Sequence, residues 1–341
     1  MTFIYFILIL GVTVTIHELG HFIFAKKAGI YVYEFSIGMG PLLYKFNRKN
    51  DETLYCIRLF PIGGYVQMAG EEIELDEKIP SNKRLQSKTW YQRFLTVIAG
   101  VTFNFILSLL IFFIIGLNIG YTNPKTIIGS VSNDGPSYQN LMEGDILLEL
   151  NGNKVNTIDR LNLELTILDT DDVTFKVLRN GNKLDIKVTP DVIDNSYYFG
   201  ISLVNESEEG IIAAFKYAIY KFTSLFEQIL KTLLYLITGR LSLNALSGPI
   251  GIYKVVGEVA KEGLINILYL LGYISLNVGV VNLIPLPAFD GGRAFIMIIE
   301  GVTRKKVNQK IENTIHTIGL ILLLILMLVI TISDIIKIIG W

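Results

Sequence analysis

The sequence predicts a polytopic α-helical membrane protein. It should have about four transmembrane helices, a membrane-associated β-hairpin on the cytoplasmic side and a small α+β domain inserted on the other side. Three observations carry this. Of 341 residues, 51% are hydrophobic and only 18% charged, where a soluble chain carries about 25% charge. Four apolar stretches approach or exceed the roughly 20 residues that cross a bilayer as a helix. Between the second and third lies a long region that alternates like a sheet and is punctuated by turn dipeptides. A mean hydropathy of +0.48 also excludes disorder, which needs low hydrophobicity and high charge. The net charge of −1 leaves no basic field for nucleic acid. A single cysteine, Cys56, excludes a disulfide scaffold.

The first span is 2–25, apolar except for His17, Glu18 and His21. It is read as a span and not as a cleaved leader, because it lacks a basic start and a small-residue cleavage site. The second, 94–119, carries no charge. The third stretch, 264–300, is interrupted by Pro285, Pro287 and Asp290. The fourth, 314–333, is an Ile/Leu run. The loop 26–93 holds 11 Lys and Arg, and 301–313 adds Arg304, Lys305, Lys306 and Lys310. The positive-inside rule places both loops in the cytoplasm. Both termini and 121–263 then lie outside.

Within the first loop, 42–46 and 54–59 flank a turn at 47–51 and read as a hairpin. Gly38, Gly40, Gly63 and Gly64 bracket it and permit close backbone approach. Trp90 and Tyr91 suit an interfacial position. The outer region 126–190 reads as a small mixed domain. Strands are expected at 126–131, 146–150, 174–178 and 184–188, with hairpin turns at Asn151-Gly152 and Asn180-Gly181. Residues 211–238 repeat apolar residues at helical spacing. They suit an amphipathic helix at the membrane surface or a surface helix of the outer domain. The expected domains are 1–125, 126–190, 191–263 and 264–341.

The chemistry is concentrated in His17-Glu18-Leu19-Gly20-His21. At about 100° per residue the two histidines are about 40° apart on one helix face, so their imidazoles converge and can hold one zinc ion. Glu18 flanks them and can take a proton from water as general base. Ionisable residues inside a span are costly and usually functional. Catalytic zinc takes three protein ligands. His316 is a third candidate by residue type, without a supporting pattern. Asp290 is the better one. It lies deep in the third stretch, before Gly291-Gly292 and after a proline break, and irregular backbone at membrane depth marks a protein-lined or wet cavity.

An intramembrane H-E-L-G-H with a later Asn282-x-x-Pro-x-Pro-x-Phe-Asp-Gly-Gly resembles the site-2 protease family of intramembrane zinc metalloproteases. The bacterial regulator-of-sigma-E-protease group is the nearest branch. The resemblance covers nearly the whole chain, including 35–41, 63–71 and the Ser247-Gly248-Pro249-Ile250-Gly251 motif. It likens 126–190 to a single PDZ domain. It implies a zinc metalloendopeptidase that cuts transmembrane segments of single-span membrane proteins, such as anti-sigma factors or remnant signal peptides. It implies His17, His21 and Asp290 as ligands of one Zn2+, Glu18 as the base and Asn282 as a residue that holds substrate backbone. It also implies a multi-pass protein of the bacterial cytoplasmic membrane, with the PDZ domain extracytoplasmic and the zinc site toward the cytoplasm. Phe289, Arg293 and Val101 depart from that family's usual leucine, histidine and proline. A non-proteolytic transporter or PDZ scaffold is the alternative. A transporter would be expected to show internal repeats, and an inactive scaffold would be expected to lose Glu18 or a ligand.

Overall fold

The computed structural model describes residues 1–339 except 71–78, 123–124, 156, 169–171, 194–195, 205–206 and 242–246. The chain divides into two compact units, one formed by Met1–Ile111 and Ser242–Trp341 and the other by Phe112–Leu241. The first half runs α1 (Thr2–Lys27), β1 (Val32–Asn47), β2 (Leu54–Met68) and α2 (Trp90–Ile119). The middle runs β3 (Tyr121–Thr122), β4 (Ile128–Val131), β5 (Ile146–Leu150), β6 (Asn153–Lys154), α3 (Ile158–Thr166), β7 (Val173–Arg179) and β8 (Asn182–Val188). It continues through β9 (Asp191–Ile193), β10 (Ser196–Tyr198), β11 (Ile201–Leu203), β12 (Ser207–Glu208) and α4 (Ile211–Ile237). The last part is α5 (Pro249–Val259), α6 (Leu264–Leu283), α7 (Asp290–Thr303) and α8 (Gln309–Ile339).

Among the described residues four helices are long and apolar enough to cross a membrane: Thr2–Lys27, Trp90–Ile119, Leu264–Leu283 and Lys310–Ile336. The third apolar stretch is therefore divided. α6 ends at Leu283, because Pro285 and Pro287 lack the amide donors a helix needs. The chain turns through 284–289 and restarts as α7 at Asp290. Side-chain-free positions set the close approaches. A Cβ on Gly20 would lie 2.4 Å from the Ala99 carbonyl oxygen, so α1 and α2 touch there backbone to backbone. A Cβ on Gly291 would lie 2.3 Å from the Leu283 carbonyl oxygen, which lets α7 fold back against the end of α6. Asp334, buried near the end of α8, accepts from the Gly248 and Gly251 amides, both at 2.8 Å. It thereby caps α5, the helix of the Ser-Gly-Pro-Ile-Gly motif.

The hairpin is longer than the sequence pattern suggests. β1 and β2 pair over most of their length, with register shifts. Glu34 to Ile37 has partners on both sides, Gln67 to Gly64 on one and Leu54 to Ile57 on the other. Two strands thus make a curled sheet of four stretches, with Leu42–Asn47 and Gly64–Met68 at its edges. It runs along α1: a Cβ on Gly11 would lie 2.8 Å from the Pro61 carbonyl oxygen. Its outward side chains are apolar, with Leu43 and Tyr44 61% and Phe60 56% exposed. An exposed apolar patch of this kind marks a membrane or protein contact. Inside it, Arg58 and the Tyr65 hydroxyl both donate to the Glu34 carboxylate, at 2.6 Å each. Burial and the neighbouring Glu34 push the Cys56 thiol up to about 11.

The second unit has a soluble-domain core. Its four-stranded sheet runs β6-β5-β7-β8, and β4 pairs with β11. Ile128, Leu147, Leu150, Phe175, Val177 and Phe199 are buried together. Asn151 and Gly152 (φ 48° and 83°) and Asn180 and Gly181 (φ 50° and 80°) supply the positive φ pairs that tight hairpin turns require. α4 joins α3 through polar contacts. Lys231 and Tyr235 both donate to buried Glu164, and Lys221 donates to Asp159.

Candidate metal centre

α1 places His17 and His21 one turn apart, both buried, and the restart of α7 brings Asp290 to them. Asp290 Oδ2 lies 3.0 Å from His17 Nε2 and 3.2 Å from His21 Nε2. The two Nε2 atoms are 3.2 Å apart. The potential ligand atoms of the three residues all lie within 4.8 Å of one another. Two nitrogens and a carboxylate oxygen converging in an apolar setting are a donor set for zinc. The surroundings fit as well. Asp290 Oδ2 is buried without a hydrogen-bond donor. Gly100 of α2 leaves the space open: a Cβ there would lie 2.3 Å from His21 Nε2 and 2.8 Å from His17 Nε2.

The far side of each ring is held by α2. His21 Nδ1 donates to the Thr96 carbonyl oxygen at 2.9 Å, which leaves Nε2 with a free lone pair. His17 Nδ1 lies 3.2 Å from the Asn104 amide, which is fully buried. The Asn104 side-chain oxygen is buried and has no hydrogen-bond partner in this orientation. Turning that amide end for end gives it the His17 Nδ1 proton and frees His17 Nε2 in the same way. Asn104 is itself fixed between helices, since its carbonyl accepts from the Ser275 hydroxyl of α6 at 3.0 Å. Gly100 and Asn104 flank Val101, where the resembled family has proline, but their parts in the site emerge only from the packing.

The three residues open on a cavity of about 310 Å³, whose wall includes Glu18, Val66, Met68, Asn282 and Arg293. Glu18 is half-buried, and β2 crosses it at Gly64, where a Cβ would come within 3.7 Å of Glu18 Cγ. Asn282 lies at the end of α6. His316 stands apart from the metal set and acts on the turn. Its Nδ1 accepts from the Ala288 amide at 3.1 Å, and Ala288 has the left-handed φ of 78°, an uncommon conformation outside glycine. Gly319 lets α8 approach the same turn, since a Cβ there would lie 2.3 Å from Pro287 Cβ. His316 thus braces the loop that delivers Asp290.

Residues 5–326 match the family model for peptidase family M50. The chain belongs to the M50, or site-2 protease, family. It is 38% identical to a Fusobacterium nucleatum protein named provisionally as a zinc metalloprotease, over 99% of each chain. It is 32% identical to the zinc metalloprotease RasP of Geobacillus kaustophilus, over 97% of each. It is 31% identical to the regulator of sigma-W protease RasP of Bacillus subtilis, over 98% of each. The chain is therefore a zinc metalloprotease, its cofactor is Zn2+, and it is a multi-pass membrane protein of the intramembrane type.

Proposed function

We propose that the enzyme cuts the transmembrane segments of single-span membrane proteins, with His17, His21 and Asp290 as the zinc ligands, Glu18 as general base and Asn282 holding the substrate backbone. The convergence of His17 Nε2, His21 Nε2 and Asp290 Oδ2 among apolar helices carries this reading. Zinc in that donor set supplies a Lewis acid that polarises a peptide carbonyl and acidifies water. Glu18 takes a proton from the attacking water and returns it to the departing amine. Asn282 can both donate and accept, which suits an extended strand in the cavity.

A helical substrate hides its carbonyls in backbone hydrogen bonds, so it must be unwound before cleavage. The Gly64–Met68 edge of the curled sheet offers replacement bonds by strand addition. Its Val66 and Met68 already line the cavity. The name of the Bacillus relative, a regulator of sigma-W protease, supports a regulatory substrate such as an anti-sigma factor. We place the protein in the bacterial cytoplasmic membrane. The basic loops and zinc site face the cytoplasm, about 9 Å along α1 separating His21 from Lys27.

The domain around 126–190 is read as a single extracytoplasmic PDZ domain that screens substrates by size. α4 supports this. Its polar side binds α3, while Ile212, Phe215 and Leu234 on it are exposed and suit the membrane surface. Since β11 pairs with β4 and Phe199 joins the core, a clean deletion removes 126–203. It should leave zinc intact and permit cleavage of untrimmed substrates with large outer parts. Loss of cleavage of an already trimmed substrate would instead mean docking. The function itself is tested by comparing membrane proteomes of cells carrying wild type or Glu18→Gln. Single-span fragments should accumulate only with the variant. Identical proteomes would contradict the proposal.

A further inference from the structure

A second cavity, larger than the catalytic one at about 660 Å³, opens where α2 begins and α7 ends. Its lining combines apolar side chains, Trp90, Ile298 and Val302, with basic ones, Lys88, Arg304, Lys305 and Lys306. The walls are built. The Trp90 indole donates to the Met297 carbonyl at 2.6 Å, and Gly301 leaves room for its ring. Arg304 turns the chain with a φ of 56°.

The charge balance is one-sided. Glu300 is the cavity's only acid among its lining residues, and it is fully committed. One oxygen accepts from Arg93 at 2.8 Å, with both side chains buried, and the other accepts from the Val307 amide at 2.8 Å. Lys88 and Lys306 donate only to backbone carbonyls, those of Gly29 and Gln86. Among the described residues none of Lys88, Arg304, Lys305 and Lys306 has a carboxylate partner within salt-bridge reach. Beside the Arg93–Glu300 pair, four further cations therefore line a cavity at the start of α2 and the end of α7, and none of them has a matching carboxylate among the described residues.

We infer that this cavity binds the headgroup of an anionic phospholipid. The basic rim would hold the phosphodiester, and the amino-terminal end of α2 favours negative charge there. The acyl chains would lie along α7, where Phe295, Ile298 and Val302 are 49%, 47% and 80% exposed. Charge alone suits any phosphate. The apolar part of the lining, with exposed Ile298 and Val302 in it, favours a lipid, since a free phosphate gains nothing from it. Basic pockets between membrane helices are common headgroup sites. The occupant would brace the carboxyl end of α7, whose other end presents Asp290. The site is separate from the catalytic cavity and does not depend on which substrate is cut.

The test is native mass spectrometry of the purified full chain from micelles containing equal phosphatidylglycerol and phosphatidylcholine. Wild type should retain one phosphatidylglycerol in preference to phosphatidylcholine. The variant R304Q/K305Q/K306Q should lose that preference by about 100-fold, from about 1 kcal/mol per basic residue and about 1.4 kcal/mol per tenfold. The variant K45Q/R48Q/K49Q, which removes equal charge from the hairpin turn, should keep it. Zinc content reports folding. If the pocket triple loses zinc, the single K305Q, at an exposed residue, carries the test with about a fivefold loss. Three outcomes would overturn the inference: no preference in wild type, equal loss in both triples, or displacement of the lipid by inorganic phosphate at equal concentration.

Discussion

The two units of the molecule differ in what they leave exposed and in the polar groups they bury. In the membrane unit the buried interior holds polar groups, His17, His21, Thr96, Asn104 and Ser275 among them. Long apolar stretches of it are exposed, as along 320–329 of α8. In the other unit Ile128, Leu147, Phe175 and Val177 are the interior, and ion pairs such as Lys176–Glu149 are partly exposed. The contrast follows from solvent. Lipid supplies no driving force to hide leucine, so the first unit leaves long apolar stretches exposed while its polar groups sit sheltered among buried aliphatic side chains. Water supplies that force in the second, so what is hidden there is what folds it. A substitution in the second interior should unfold a domain and spare the metal. One among the polar groups around His17 and His21 in the first should spare the fold and lose the metal.

The largest stability effect is expected from Phe175→Ala, about 3–5 kcal/mol. Limited proteolysis should cut the β domain while zinc content stays at the wild-type level. Loss of zinc in that variant would break the comparison. Gly100→Ala should do the reverse. Its Cβ would enter the imidazole cradle, with an overpacking cost of about 1–3 kcal/mol, and zinc affinity should fall while the β domain keeps its protease resistance. Asn104→Ala removes an orienting partner of His17 and should weaken zinc binding by about 10–100-fold, as read by chelator competition. The smallest effect is a pH dependence. Burial acts to raise the Asp145 pKa, but Arg179 and the Met142 amide hold it below the usual carboxylate range. Its stabilising contribution is therefore present above about pH 4 and is lost as pH falls through the lower folded value. Acid should loosen the β domain in wild type more than in Asp145→Asn, with the difference vanishing at low pH. A constant difference would assign Asp145 a packing role only.

The parts of this arrangement that announce themselves in the sequence do so through cost. His17, Glu18 and His21 stand out because charge is expensive in a span, and Asp290 because prolines break the helix before it. Asn104 and Thr96 stay silent for the same reason. A neutral amide is cheap enough to pass unnoticed in an uncharged span, and Thr96 contributes a backbone carbonyl that no side-chain pattern encodes. His316 was visible as a residue, but its grip on Ala288 depends on how α8 packs. Strand β5 coincides with the stretch expected at 146–150, since alternation and Asn-Gly turns are local signals. The pairing of β4 with β11 is set across the domain and leaves no local trace. The hairpin extends to Val32 and Met68 because these two ends pair with each other beside the doubly paired Glu34–Ile37, while alternation marks only its middle.

In the proposed site three side chains from two segments hold the metal and a fourth, Glu18, does not. Its most direct test is metal analysis of four purified variants: His17→Ala, His21→Ala, Asp290→Ala and Glu18→Gln. The first three should carry almost no zinc while remaining inserted in the membrane. Glu18→Gln should keep its full zinc and cleave nothing. Full zinc in His21→Ala or Asp290→Ala, or none in Glu18→Gln, would contradict the account.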